Sequence, residues 1–285
     1  MKKEEKKLRI AMQGVAGCFH DAAAREYFSN IPTVTTTGFN TFPELFRAVS
    51  ADSSLLGIVA IENTIAGSIL SNYELLRQSG LVIKGEYKKR ISHVLCALPG
   101  QSIESVTEVN SHPMALMQCE QWLRRHPHMK IVEHFDTAGS AMEIARDNLT
   151  GHAAVCGEYA ATLYGLDILA RSIETNKHNF TRFLIIGAPQ QEDATQNPDK
   201  ASLMFTLPHS QGALSRVLAI LSFYDLNLSK IQSTPIIGRE WEYRFYIDLT
   251  FNDMERYRQA LDAVRPLTSN LRVLGEYRDC PPPQA

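Results

Sequence analysis

Short, largely apolar runs alternate with amphipathic or alanine-rich stretches through the first 187 residues. Residues 8–13, 56–61, 81–87, 93–97, 130–135, 153–156 and 183–187 read as strands. Residues 22–28, 41–50, 73–79, 114–126, 138–148 and 158–164 read as helices. This alternation predicts an α/β fold with largely parallel sheets, in which ligands bind where strand ends meet helix starts.

The rhythm changes after residue 187. Residues 188–200 carry two prolines, four amides and almost no apolar side chain, the composition of a linker. Beyond it come a strand at 201–207, a helix at 212–224, strands at 229–236 and 243–251 about a turn at 237–240, a helix at 254–267 and a strand at 271–277. That order is βαββαβ, a ferredoxin-like unit. Residues 1–7 mix charges of both signs and read as a solvated end, with a disordered tail expected over 278–285.

Composition narrows the class. A chain of 285 residues has room for about two domains. It is 44% hydrophobic and 21% charged with net charge -2, so no basic field invites nucleic acid. No apolar run approaches the roughly 20 residues needed to span a bilayer, and no secretory signal opens the chain. The five cysteines are scattered, without Cys-x-x-Cys spacing, and read as buried thiols in a reducing cytoplasm. No set of side chains has metal-ligand spacing.

The chemistry-bearing residues cluster at strand ends. Thr181 and Arg182 stand side by side ahead of an apolar run. A hydroxyl can donate to a leaving oxygen, and a guanidinium can grip a carboxylate with a fixed fork of donors. The pair suits a small organic anion that must shed a hydroxyl group. Glu62 and Asn63 end a strongly apolar strand, and Gly67 and Ser68 follow in a turn. A carboxylate there needs a partner or solvent, while Asn63 or Ser68 could equally cap a helix. Ser111 reads as a helix N-cap, with His112 beside it, Pro113 in the first turn and Gln118 farther along. Thr137 and Ser140 lie at another helix start after Asp136. The loop Gln13 to His20 is glycine-containing and opens a helix, a place for an anion, but it is neither a dinucleotide fingerprint nor a Walker loop.

The ordered set Glu62, Asn63, Gly67, Ser68, Ser111, His112, Pro113, Gln118, Asp136, Thr137, Asn179, Thr181, Arg182 and Phe183 resembles the prephenate dehydratase family. The segment 201–277 resembles the ACT regulatory domain of that family. The resemblance implies a catalytic module over 1–187 made of two α/β lobes around a cleft, like periplasmic binding proteins. One lobe would span about 8–84 plus 173–187 and the other about 85–172. It implies a carbon–oxygen lyase that converts prephenate to phenylpyruvate, releasing carbon dioxide and water on the route to L-phenylalanine, with no metal or organic cofactor.

By the same resemblance, Thr181, Arg182, Glu62, Asn63, Ser111 and Gln118 are catalytic. Thr181 would hydrogen-bond the departing hydroxyl, and Arg182 would orient the Thr181 loop or a carboxylate. Gly67, Ser68, His112, Thr137 and Phe183 would bind substrate. The first loop departs from the family pattern Gly-Pro-x-Gly-Thr-Phe-Ser, so Cys18 and His20 are not carried over as hydroxyl donors. Gly212, Ala213, Leu214, Asn227, Leu228 and Ser233 would bind L-phenylalanine between paired ACT domains, in a homodimer or dimer of dimers. The second effector motif, usually Glu-Ser-Arg-Pro, reads Gln232-Ser233-Thr234-Pro235 and lacks both charges. An arogenate dehydratase and a non-catalytic keto-acid or amino-acid sensor are the alternative readings. A fused chorismate mutase is not expected, because few residues precede the first strand.

Overall fold

The computed structural model describes residues 7–190, 197–236, 238–239 and 241–281. The expectations for 1–6 and 282–285, and parts of those for the linker and the 237–240 turn, lie outside the described residues. The chain opens with β1 Lys7–Gln13, α1 Phe19–Tyr27, β2 Thr33–Phe39, α2 Phe42–Ala51, β3 Leu55–Asn63, β4 Gly67–Ser68, α3 Leu70–Ser79 and β5 Val82–Arg90. It continues with β6 Val94–Ala97, β7 Glu108–Ser111, α4 Pro113–Gln118, α5 Glu120–Leu123, β8 Lys130–Glu133, α6 Thr137–Asp147, β9 His152–Cys156, α7 Glu158–Leu163 and β10 Asp167–Ala170. β11 Phe180–Gly187 precedes β12 Lys200–Thr206, α8 Ala213–Phe223, β13 Asn227–Pro235, β14 Tyr243–Thr250, α9 Met254–Val264 and β15 Ser269–Tyr277.

These strands form three sheets, with orders β2-β1-β3-β11-β5, β10-β6-β9-β7-β8 and β13-β14-β12-β15. The first two are mixed rather than largely parallel. β5 leads out of the first sheet and β11 comes back into it, between β3 and β5 and antiparallel to both. The chain stays in the first sheet as far as Arg90 and re-enters at Phe180, so it leaves through 91–93, past the expected crossing near 85, and comes back through 171–179, the stretch that holds the expected return near 172.

Besides the two-residue β4, three strands have no counterpart in the hydrophobic pattern. β2 is threonine-rich and lies at a sheet edge, where it need not be apolar on both faces. β7 and β10 are only four residues long. The single helix expected over 114–126 breaks at Cys119, whose ψ of 8° leaves the helical basin. Ser111, expected to cap that helix, is the last residue of β7. His112 is the cap, and its Nδ1 accepts from the Met114 N–H.

Apolar burial ties the units together. One core joins Ile10, Met12 and Ile58 of the first sheet to Val94, Ala141 and Ala160 around the second. The opposite face of the first sheet shares a core with the C-terminal unit, where Met204, Tyr246, Leu274 and Tyr277 pack on Leu45, Ile61, Leu184 and Ile186. Full burial of side chains this size contributes about 1.5–3 kcal/mol each, so the C-terminal unit is docked and not merely tethered. The contact is tight at Gly275, where a Cβ would lie 2.3 Å from the Ile83 carbonyl oxygen. Helices α8 and α9 cover the other face of the third sheet around Phe205, Val217, Ile247 and Tyr257. Among the described residues no helix is long and apolar enough to cross a membrane.

Candidate active site

β3 and β11 lie side by side, with Thr181 opposite Asn63 and Arg182 opposite Glu62. Successive side chains of a strand point to opposite faces. Thr181, Phe183, Asn63 and Ala60 therefore face a cleft of about 310 Å³. Arg182 and Glu62 face the C-terminal unit. A bulge between Arg182 and Phe183 skips Ile61, leaving Ile61 on the same side as Glu62 and Ala60 on the cleft side. The far wall comes from His112, Met114 and Gln118 of α4 and from Asp136 and Thr137 at the start of α6.

A chain of side-chain hydrogen bonds spans the cleft floor. The Asn63 Nδ2 group donates to Thr181 Oγ1 at 3.0 Å, to Asn179 Oδ1 at 2.7 Å and to the Phe180 carbonyl at 3.2 Å. Asn63 Oδ1 accepts from the Ile65 and Ala66 N–H groups, both at 2.9 Å, which fixes its amide orientation. Asn179 Nδ2 donates to Gln118 Oε1 at 3.0 Å. His93 Nε2 lies 3.0 Å from the same oxygen.

Burial favours the neutral forms of His20, His93 and Cys18. Burial pushes His20 down to about 4, and its Nε2 accepts from the Ala60 N–H at the bulge. Its ring meets Phe183 and Phe42 at 5.0 and 5.7 Å between centroids. His20 is thereby a neutral prop for the strand bearing Asn63. Burial also lowers His93, with Gln118 and Glu174 opposing the shift. The Cys18 thiol is pushed up to about 12, again mainly by burial, and donates to the Gln13 carbonyl. A thiol so protonated is a poor nucleophile at neutral pH. Gly14 lets this loop turn: its φ is +103°, and its N–H reaches the Phe39 carbonyl at 2.9 Å.

The cleft walls include no lysine or arginine. The starts of α1 and α6 are directed at the cavity through Phe19, His20 and Thr137, and helix starts carry partial positive charge. Asp136 caps α6, its Oδ1 accepting from the Gly139 N–H at 2.7 Å, and is the one carboxylate among the lining side chains.

A family model described as prephenate dehydratase matches residues 10–191. The chain belongs to the prephenate dehydratase family. It is 36% identical over 283 residues to the chloroplastic arogenate dehydratase/prephenate dehydratase 2 of Arabidopsis thaliana, an alignment covering 95% of this chain and 73% of that protein. The structure is similar to that of the prephenate dehydratase from Arthrobacter aurescens in complex with L-Phe, at TM-score 0.84 and 27% identity, covering 95% of this chain and 90% of that one. It is also similar to GqqA, described as a novel type of quorum-quenching acylase, at TM-score 0.85 and 29% identity, covering 96% and 98%.

The expected site residues of this prephenate dehydratase family member divide sharply. Asn63, His112, Gln118, Thr137, Thr181 and Phe183 line the cleft. Four others do not. Arg182, expected to orient the Thr181 loop or a carboxylate, faces the C-terminal unit: it donates to Glu86 at 2.6 Å, to Asp248 and to the Tyr277 hydroxyl at 2.9 Å. Asp248, Tyr277 and Glu86 outweigh the cost of burial and keep it protonated. Glu62 pairs with Lys230 at 2.7 Å, and the Ser68 hydroxyl accepts from the same ammonium at 2.9 Å, so both face the C-terminal unit. Ser111 is fully buried in the second sheet, where its hydroxyl donates to the Val155 carbonyl. Gly67 is exposed beside Asn63 and contributes no side chain to the wall. In each strand case, neighbours in sequence were grouped although the two-residue period separates them. Asn179 stands in the ordered set of motifs but had no site role assigned, and His93 was missed, with nothing local in its sequence to mark it out.

The expected effector residues form two groups within one chain. Gly212, with φ +74°, caps α8, and Ala213 and Leu214 line a cavity of about 140 Å³ with Trp241, Tyr243 and Phe245. Ser233 lies opposite Phe245, at that end of β13. Asn227 and Leu228 begin the same strand, roughly 20 Å away at the usual rise per residue.

Proposed function

We propose that this cleft converts prephenate to phenylpyruvate, and that Thr181 is the group on which the chemistry turns. As the ring-bound carboxylate leaves as carbon dioxide, its bonding electrons enter the ring, the C–O bond breaks and the departing hydroxide takes a proton to become water. The observation that carries this reading is the Asn63 Nδ2 to Thr181 Oγ1 hydrogen bond. With its oxygen already accepting, the Thr181 hydroxyl proton is available to the cleft. The same amide stabilises negative charge building on Oγ1 as that proton is drawn away. The helix starts and the polar wall supply the anion contacts, and Phe183 and Phe19 flank the ring. Loss of such an acid contributes typically 10²–10⁴ in rate. Thr181→Val should therefore lower kcat at least about a hundredfold with the fold intact, and Thr181→Ser should restore much of it. A phenylpyruvate absorbance assay decides, and near-parental kcat in Thr181→Val removes Thr181 from the mechanism.

Asp136 favours a second substrate. Arogenate differs from prephenate in bearing an ammonium group where prephenate has a keto oxygen, and a cleft with one carboxylate and no lysine or arginine on its walls suits a cation. Arogenate dehydratase activity appears in the name of the Arabidopsis relative. Asp136→Asn keeps the α6 cap and removes the charge. A fall in kcat/KM for arogenate relative to prephenate would support this reading, and an unchanged ratio would dismiss it. Acyl transfer is less well supported, since the thiol in the cleft is buried and held protonated.

The catalytic module is read as two periplasmic-binding-protein-like lobes around this cleft, and the C-terminal unit as an ACT regulatory domain. L-Phenylalanine is its effector in this reading, supported by the ligand named for the Arthrobacter relative. With Gly212 and Asn227 in separate groups, convergence on one ligand needs a second chain. Calorimetry with L-phenylalanine tests this, and neither heat nor a change in rate would leave the unit a docking module only.

A further inference from the structure

The hydrogen bonds of the cleft floor have a defined polarity. It starts at the backbone, where two N–H groups on Asn63 Oδ1 force Asn63 Nδ2 to be the donor toward Asn179 and Thr181. Asn179 must then accept with Oδ1 and donate with Nδ2, and Gln118 must accept with Oε1. His93 therefore has to donate through Nε2–H, which leaves Nδ1 as the unprotonated nitrogen. His93 is 2% exposed, and Nδ1 is a buried atom with no hydrogen-bond partner. An orphaned buried acceptor costs about 1–3 kcal/mol. The tautomer is kept despite that cost, because the opposite one would turn a lone pair on Nε2 toward the Gln118 oxygen.

From this geometry we infer that His93 is a positioning residue for the dehydration. Its Nε2–H holds the Gln118 carboxamide, which holds Asn179 Nδ2, and Asn179 Oδ1 in turn helps to place the Asn63 amide against Thr181. Its members come from distant parts of the fold. Asn63 ends β3, Gln118 ends α4 in the second lobe, and His93 and Asn179 lie where the chain crosses between the two sheets. The backbone reinforces the crossing: the His93 N–H donates to Glu174 at 2.8 Å and the Thr175 N–H to the Gln118 carbonyl at 2.8 Å. The chain closes only when both lobes are in register, so the placement of the Asn63 amide against Thr181 depends on how α4 sits against β3 and β11. His93 touches Thr181 only through this chain. Its loss should slow the chemical step while leaving substrate affinity nearly unchanged.

The inference rests on the dehydratase reading, so the parent protein is assayed first. A parent that turns over neither prephenate nor arogenate sinks that reading. With an active parent, His93→Leu keeps the bulk and removes the donor, whereas His93→Gln places an N–H near the former Nε2. His93→Leu should lower kcat about tenfold or more, with KM within about twofold, and His93→Gln should recover to within about threefold of the parent. Parental kcat in His93→Leu overturns the inference and leaves the dehydratase reading standing. Equal losses in both variants also overturn it, because bulk and not the N–H would then matter. If His93→Leu does not fold, Asn179→Asp reads the same chain from its middle, keeping an oxygen for Asn63 and removing the donor to Gln118. It should show the same loss of kcat at constant KM, and a parental rate there refutes the relay.

Discussion

Replacing Arg182 by alanine separates an interdomain role from a substrate-binding one. Arg182 is 9% exposed, and its partners Glu86 and Asp248 are 0% and 5% exposed in their side chains. After truncation Glu86 keeps Lys200 at 2.8 Å and the Cys280 N–H at 3.1 Å. Among the described residues, Asp248 then keeps only the Ser202 hydroxyl and becomes a buried charge without a cation. Breaking such a pair from one side costs about 3–5 kcal/mol, a large fraction of the roughly 5–15 kcal/mol that holds a typical protein folded. At a urea m-value of roughly 3 kcal/mol per molar, the midpoint should fall by about 1–1.7 M. Asp248→Asn in the same chain should restore part of the loss by neutralising the stranded carboxylate, a coupling that a double-mutant cycle measures. Arg182→Lys should fall between, because one ammonium cannot reach three partners set around a fork. KM for substrate should move little, since the guanidinium does not reach the cleft. If Arg182→Ala unfolds with the parent while KM rises steeply, the interdomain assignment is wrong and a carboxylate contact must be restored.

Other perturbations have equally definite outcomes. His20 is neutral in the fold down to about 4 but titrates near 6.5 when unfolded, so its contribution is full above 6.5 and is lost as pH falls toward 4, by up to roughly 1.4 kcal/mol per pH unit. Urea titrations at pH 7 and pH 5 should show that loss, with His20→Gln giving a flatter dependence. Gly275→Val should loosen the C-terminal unit, because its Cβ has no room beside Ile83; a protease should then cut within 188–200 faster than in the parent. Lys230→Ala should release Glu62 and Ser68 from β13 and weaken any response of turnover to L-phenylalanine, while basal kcat stays within about threefold. In the native protein iodoacetamide should label Cys280, the half-buried thiol, well before Cys18, Cys96, Cys119 or Cys156, all of them buried; mass spectrometry of the alkylated protein counts the labels.

Local sequence was sufficient for whatever depends on local physics. Apolar periodicity located most of the helices and the longer strands, because burial on one face imposes its period on the chain. The split βαββαβ order of the C-terminal part was legible in the same way, and the sheet order β13-β14-β12-β15 follows that connectivity. It failed at β2, β7 and β10, where an edge position or a four-residue length leaves too little pattern to detect. The residue types of the site were also visible, since Thr181, Asn63 and Gln118 stand in an ordered set of motifs.

Direction was not visible. Thr181 and Arg182 are neighbours in sequence, yet one faces the cleft and the other a buried ion cluster, as do Asn63 and Glu62 relative to the cleft and Lys230. Which face of β3 and β11 meets a cavity and which meets another domain is settled by what packs on each side. That depends on Tyr246, Leu274 and Tyr277, which lie far along the chain from β11. His93 escaped notice for the same reason: its tautomer and its task come from amides at 118, 179 and 63, which only folding brings within hydrogen-bonding distance.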